Sequence, residues 1–175
     1  TVFRTKSFGK LFSTSITPKM IFKLREIICD YDIVHIHLPD PMANLALFCA
    51  NKSGVKVIVH WHSDIINQKL LLKLYKPLQN WLLNRADAVI ATTPNYITSS
   101  EFLSTYKHKC VAIPIGIDGD KLTYTNTEVD SIRGLYRNKH IIFALGRLAY
   151  YKGFSYLVES AKYLSDDFVL LIGGN

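Results

Sequence analysis

The sequence predicts an α/β chain built on parallel strands, and three observations carry that prediction. Short apolar runs alternate with longer segments whose apolar residues recur at helical spacing, the rhythm of a parallel sheet with right-handed crossovers. One run, His140 to Leu145, reads as a buried strand and is followed by Phe154, Leu157, Val158 and Ala161 on one helical stripe. Hydrophobic residues make up 49% of the 175, enough for a sizeable core, and no disordered or repetitive segment interrupts them.

Taken in order, residues 1–15 are polar and basic with scattered Phe. Thr17-Pro18 opens a helix, with Thr17 as N-cap and Pro18 at the first helical position, and Met20, Ile21, Leu24, Ile27 and Ile28 form its apolar stripe. Asp30-Tyr31-Asp32 leads into a strand over Ile33 to His37. Pro39 to Pro41 reads as a turn. Ala43 to Ala50 reads as a helix of small residues closed by Ser53-Gly54, and Val55 to Val59 as the next strand, ending in His60-Trp61-His62-Ser63-Asp64. A longer helix is expected over Gln68 to Arg85, kinked or broken at Pro77. Ala88 to Ala91 is a strand. Thr93-Pro94 opens a helix to about Tyr106, and Cys110 to Ile113 is a strand. A polar stretch from Gly119 to Asn138 holds one helix, Val129 to Tyr136, and marks a domain boundary. The expected division is an N-terminal domain over 1–118, a linker region over 119–138 and the start of a second domain over 139–175.

The stretch Gly146-Arg147-Leu148-Ala149-Tyr150-Tyr151-Lys152-Gly153 places two glycines and two cations in a strand-to-helix turn. In open α/β sheets such turns, at the carboxyl ends of strands, are where ligands bind. Arg147 presents a planar fork to two phosphate oxygens, Lys152 adds a point charge, and the helix N-terminus favours an anion. The pattern is that of a diphosphate clamp. Two solvated cations beside an ordinary turn are the plain alternative.

His35-x-His37 and His60-x-His62 stand at the ends of two strands. Residues two apart on a strand share a face, so neighbouring parallel strands gather four imidazoles at one rim. A metal centre is one reading, with Asp40 or Asp64 adding oxygen ligands. The later strand ends, Thr92-Thr93 and Pro114-Ile115-Gly116, supply no further ligand to it. Structural rim histidines are another.

Five segments in fixed order decide more than any single motif. Asp32-Ile33-Val34-His35-Ile36-His37, Val57 to Asp64, Ala86 to Pro94, Ile113-Pro114-Ile115-Gly116-Ile117-Asp118 and Gly146 to Gly153 resemble, in sequence order, the motifs of the retaining GT-B glycosyltransferases of the GT4 ("group 1") family. The likeness is strongest to bacterial, mannosyltransferase-like members that build surface polysaccharides. It implies two Rossmann-like parallel-sheet domains, both incomplete in this chain. It also implies transfer of a sugar from a nucleotide-sugar donor to a hydroxyl acceptor, with retention at the anomeric carbon and no divalent metal. By motif position, His62 is the catalytic-site histidine near the anomeric carbon, and His37 and Asp64 lie on the acceptor side. Gly146, Arg147 and Lys152 bind the donor diphosphate, and Gly173 belongs to the loop near the nucleotide base. A GT-B sugar-nucleotide epimerase and a non-catalytic nucleotide-sugar-binding module share the same signals.

Two expected segments are absent: the family's Gly-rich first loop, which would precede Thr1, and its acidic E-x7-E segment, which would follow Asn175. The chain therefore reads as a fragment, catalytically silent by itself. Cys29, Cys49 and Cys110 are an odd number without a C-x-x-C, which points to a reducing compartment. No apolar run approaches the roughly 20 residues that span a bilayer. The net charge of +7 suits an anionic partner. Nucleic acid is disfavoured, because no basic stripe is interleaved with aromatics. Lys69, Lys73 and Lys76, near Leu70, Leu74, Tyr75 and Trp81, offer a peripheral docking face for an anionic membrane carrying a lipid-linked acceptor, on the cytoplasmic side.

Overall fold

The computed structural model describes residues 1–11, 14–51, 54–65, 69–121 and 123–175. They form two compact units, Thr1–Gly116 and Ile117–Asn175.

The first unit opens with a short antiparallel hairpin, β1 (Lys10–Leu11) and β2 (Thr14–Ser15), which the sequence did not suggest. Helix α1 (Lys19–Ile27) begins one residue later than expected. Pro18 holds the cap position with helical backbone angles, and Thr17 contributes its carbonyl, which accepts from the Met20 N–H at 2.9 Å. Strand β3 (Ile33–Leu38) follows, then α2 (Pro41–Ala50). Here the expected turn at Pro39 to Pro41 is corrected. Asp40 Oδ1 accepts from the N–H groups of Met42 (2.9 Å) and Ala43 (3.0 Å), so Asp40 is an N-cap and Pro41 the first helical residue.

Strand β4 (Lys56–Trp61) runs two residues past its expected end and takes in His60 and Trp61. Helix α3 (Lys69–Arg85) carries Pro77 inside it and continues past it to Arg85. The expected start at Gln68 and the closing Ser53 lie outside the described residues. Strand β5 (Ala88–Ala91) matches expectation. Helix α4 stops much sooner, spanning Pro94–Ser99, with Thr93 Oγ1 capping it by accepting from the Tyr96 N–H at 3.1 Å. Ser100 ends it: the backbone turns extended there, and Ser100 Oγ accepts from the N–H groups of Phe102 and Leu103. A separate 3-10 segment, Ser104–Lys109, leads to β6 (Cys110–Ala112).

These strands form one parallel sheet in the order β3-β4-β5-β6. Alternation along the strands divides its faces. Ile36 and Leu38 of β3, Val57, Val59 and Trp61 of β4, and Val89 and Ala91 of β5 are buried in one core with Ile28, Leu47, Leu82, Leu83 and Leu103. Burying one such aliphatic side chain stabilises by about 1.5–3 kcal/mol, so this face fixes the strand register. The alternate residues, His35 and His37 of β3 and His60 of β4, fall on the opposite face.

Two polar connections hold the layers. Asn44 Nδ2 donates to Tyr75 Oη (2.9 Å) and to the Leu78 carbonyl (3.2 Å), tying α2 to α3. Asp87 accepts from the Val57 N–H (2.9 Å), from Lys56 Nζ (2.9 Å) and from Arg85 (3.2 Å), tying the start of β5 to the start of β4. Together these bonds hold its carboxyl down at about 2, the Val57 bond contributing most.

The second unit contains α5 (Asn126–Leu135), β7 (His140–Leu145), α6 (Phe154–Ser160) and β8 (Phe168–Gly173). Helix α5 starts three residues before its expected position because Thr125 and Glu128 form a reciprocal capping box. Strands β7 and β8 pair in parallel from His140 opposite Phe168 to Leu145 opposite Gly173.

Candidate functional site

In the first unit the histidines assemble as the strand reading anticipated. Parallel pairing sets His37 opposite His60, and the ladder continues one step beyond β4, where the His62 N–H donates to the Leu38 carbonyl at 3.0 Å. The four imidazoles pack together: ring centroids are 4.8 Å apart for His35–His37, 5.1 Å for His37–His62 and 4.1 Å for His60–His62, all stacked, and 5.0 Å for His37–His60, whose rings are tilted. His37 Nδ1 and His62 Nε2 share a hydrogen bond of 2.8 Å. Burial, and then the neighbouring histidines, push His35, His60 and His62 below the ordinary imidazole range. Each therefore favours its neutral form, in which one ring nitrogen donates and the other accepts. His35, His37 and His62 are exposed and His60 is half-buried.

Asp64 has a different setting. Its Oδ1 accepts three bonds, from Trp61 Nε1–H (2.8 Å), the Tyr96 hydroxyl (2.8 Å) and the Ser100 hydroxyl (3.0 Å). Burial, and then this carboxylate, push Tyr96 up to about 12. Asp64 thus pins the segment after β4 to α4 and to the turn that ends it. Sequence reading missed Tyr96 and Ser100 as its partners, because they stand 32 and 36 residues away and no local pattern links them.

In the second unit, Gly146 to Gly153 joins β7 to α6, with one 3-10 turn, Tyr150–Lys152, between them. Gly153 adopts φ +71°, ψ +17°, a left-handed conformation that favours glycine. Its N–H donates to the Tyr150 carbonyl and its own carbonyl accepts from Tyr156 and Leu157, so one residue ends the 3-10 turn and starts the helix. This backbone demand, beyond the spacing of the Gly-bounded turn, is what calls for glycine at Gly153. A Cβ on Gly146 would stand 3.4 Å from the Phe154 ring, so its bareness lets that ring pack. The Gly146 N–H donates to the Gly173 carbonyl (3.0 Å), which places these two candidate residues side by side. Arg147 and Lys152 are both exposed. Neither side chain makes an ion pair or hydrogen bond among the described residues, and Lys152 Nζ lies 5.6 Å from the centre of the Tyr151 ring.

The docking face expected on α3 is corrected in part. Leu70, Lys73, Leu74 and Lys76 are exposed, but Tyr75 bonds Asn44, and Trp81 packs on the core and edge-on to Phe48. The Lys69 side chain lies outside the described residues. Among the described residues no helix is long and apolar enough to cross a membrane.

Known proteins share this organisation. Residues 2–121 match the family model described as Glycosyltransferase Family 4. The chain is 32% identical to O-antigen chain mannosyltransferase C of Escherichia coli over 99% of its own length and 46% of that protein. It is 31% identical to D-rhamnosyltransferase WbpZ of Pseudomonas aeruginosa, over 99% of its own length and 45% of that protein. It thus spans about half the length of these relatives. The crystal structure of Anabaena HepE in complex with UDP-glucose superposes with a TM-score of 0.66 at 17% identity, over 87% of this chain and 42% of HepE. The HepE complex with UDP gives 0.64 at 16%, over 89% and 43%. At these identities the likeness concerns the fold, and the parallel α/β layout is that of the GT-B glycosyltransferases. The family match covers most of the chain, and the chain belongs to glycosyltransferase family 4.

Proposed function

We propose that this chain carries parts of both the acceptor-side and donor-side domains of a retaining glycosyltransferase. That enzyme moves a sugar from a nucleotide-sugar donor to a hydroxyl acceptor, a growing surface polysaccharide or lipid-linked glycan. The observation that carries the reading is the turn after β7, where two exposed cations that make no ion pair or hydrogen bond among the described residues stand at the carboxyl end of a parallel strand. The mannosyltransferase and rhamnosyltransferase among the relatives, and the UDP-glucose in HepE, favour a nucleotide sugar as the donor.

Cleavage of the donor leaves negative charge on a diphosphate and an electron-poor anomeric carbon. Arg147 and Lys152 take the diphosphate charge, where preorganised cations contribute most, and this is why the reaction needs no divalent ion. Gly146 and Gly173 bring two bare backbone segments together beside it. His62 serves the sugar. Its Nε2 is engaged with His37, which fixes the ring; in the neutral ring Nδ1 then takes the opposite role, donor or acceptor, toward a sugar hydroxyl. His37 is a positioning residue, and Asp64 holds the segment from which His62 projects. The free thiols of Cys29, Cys49 and Cys110 fit a cytoplasmic setting. The exposed Leu70, Lys73, Leu74 and Lys76 fit a peripheral place on the inner face of an anionic membrane.

The test is product analysis of the full-length protein with nucleotide sugars and a glycan or lipid-linked acceptor. Acceptor-dependent release of nucleoside diphosphate, with a linkage of the donor's own anomeric configuration, is expected. Release of free sugar without acceptor, or an inverted linkage, overturns the proposal.

A further inference from the structure

The histidine cluster holds more than the His37–His62 pair uses. His35, His37 and His60 each offer one ring nitrogen, and the three atoms lie within 4.8 Å of one another. Two adjacent parallel strands supply them in fixed register, His37 opposite His60 and His35 two residues earlier on the same face. His60 Nε2 is buried and has no hydrogen-bond partner. An orphaned buried nitrogen is costly, and an ion is one recognised way of satisfying it.

We infer that His35, His37 and His60 form a binding site for a divalent transition-metal ion of the zinc class. The donor set decides the class: three imidazole nitrogens with no carboxylate or thiolate suit zinc, cobalt, nickel or copper, and not magnesium or calcium. Zinc–nitrogen bonds of about 2.0–2.1 Å place tetrahedral ligand atoms roughly 3.4 Å apart. Side-chain rotation on the two strands therefore has to draw the nitrogens inward by at most about 1.4 Å from the 4.8 Å spread. A fourth position is left for water or for His62, whose ring centroid is 4.1 Å from that of His60.

This site is no cofactor of the proposed transfer. It shares His37 with His62, so occupation rearranges the pair that orients His62 and should inhibit the enzyme. The binding test reads the metal alone, so its failure leaves the transfer proposal standing.

The experiment is titration of chelator-treated protein with cobalt(II), followed by its visible absorption and by equilibrium dialysis. One ion per chain is expected, with the intense bands of a tetrahedral nitrogen site, displaced by zinc and unaffected by millimolar magnesium. His35→Gln, at an exposed position, should keep the far-UV circular dichroism and weaken binding by more than the roughly 10–100-fold that loss of an outer-shell partner costs. A double replacement of His108 and His140 by Gln should leave binding unchanged. Absence of stoichiometric cobalt, or binding that survives His35→Gln and falls in the His108/His140 variant, overturns the proposal.

Discussion

A Cβ built on Gly174 would fall 1.9 Å from the carbonyl oxygen of Gly146. The two backbones meet where the β7–β8 ladder runs past the strands: the Gly146 N–H donates to the Gly173 carbonyl, and the Leu148 N–H to that of Asn175 at 3.1 Å. No rotamer can relieve a contact between a Cβ and a main-chain oxygen. Gly174→Ala must force these last rungs apart, at a cost of about 1–3 kcal/mol, the range of an overpacked core position. Gly134→Ala is the control. It lies inside α5 with open space around its Cβ position, and it should stabilise by about 0.5–1 kcal/mol. Urea unfolding of the two variants checks both signs.

A second prediction concerns acid stability. Asp87 is held at about 2, against 3.8 for a free side chain, by the Val57 N–H, Lys56 and Arg85. Its folded-state pKa is depressed, so the unfolded chain binds a proton first as pH falls. The stabilisation is fully present above about pH 4 and is lost as pH drops through about 2. Asp87→Asn should therefore destabilise at pH 7 by about 1 kcal/mol, because solvent screens the pairs with Lys56 and Arg85 at this exposed position and leaves mainly the Val57 bond. The gap from wild type should close toward pH 2. A gap independent of pH, measured by chemical denaturation, would show that packing and not ionisation is responsible.

The contrast between Asp87 and Asp40 shows what the sequence could and could not disclose. The parallel strands, the gathering of the histidines at one rim and the β7–α6 turn were legible, because strand alternation and a Gly-bounded basic turn are local patterns; the order β3-β4-β5-β6 is set by pairing between strands distant in sequence and was not. The helix start at Asp40-Pro41 was not read, because the neighbouring Pro39 made the whole stretch look like a turn. The early end of α4 was not legible. It depends on Ser100 bonding Asp64 and two downstream N–H groups, and the helical propensity beyond Ser99 yields to that long-range contact. The cap roles of Gly153 and Glu128 were not read either, and only the backbone angles and the paired bonds assign them.

For His62 the expected signature is a split between turnover and affinity. Its proposed contact strengthens as charge develops on the sugar, so His62→Ala in the full-length enzyme should lower kcat by about 10²-fold or more while donor affinity changes little. His37→Phe keeps an aromatic ring in the stack but removes the Nδ1 partner of His62. It should give a smaller loss of kcat with KM unchanged. Steady-state kinetics on both variants is the measurement, and an unchanged kcat for His62→Ala would leave His62 as a structural rim residue.

The diphosphate clamp gives the most direct test. Arg147 and Lys152 are exposed and make no ion pair or hydrogen bond among the described residues, and Lys152 only lies over the exposed Tyr151 ring, so truncating either removes little that stabilises the fold. Any loss of nucleoside diphosphate affinity then reports the ligand contact itself. A charge-assisted hydrogen bond contributes roughly 1.5–3 kcal/mol, so Arg147→Ala and Lys152→Ala should each weaken binding by about tenfold or more in calorimetry. Arg147→Lys should restore only part of the loss, because a point charge cannot reproduce the bidentate fork. Raising the salt concentration should weaken the wild type more than either alanine variant, since one of its two cations is already gone in each. Equal affinities for wild type and both alanine variants would show that these cations are solvated ornaments of the turn, and the donor would have to be held elsewhere.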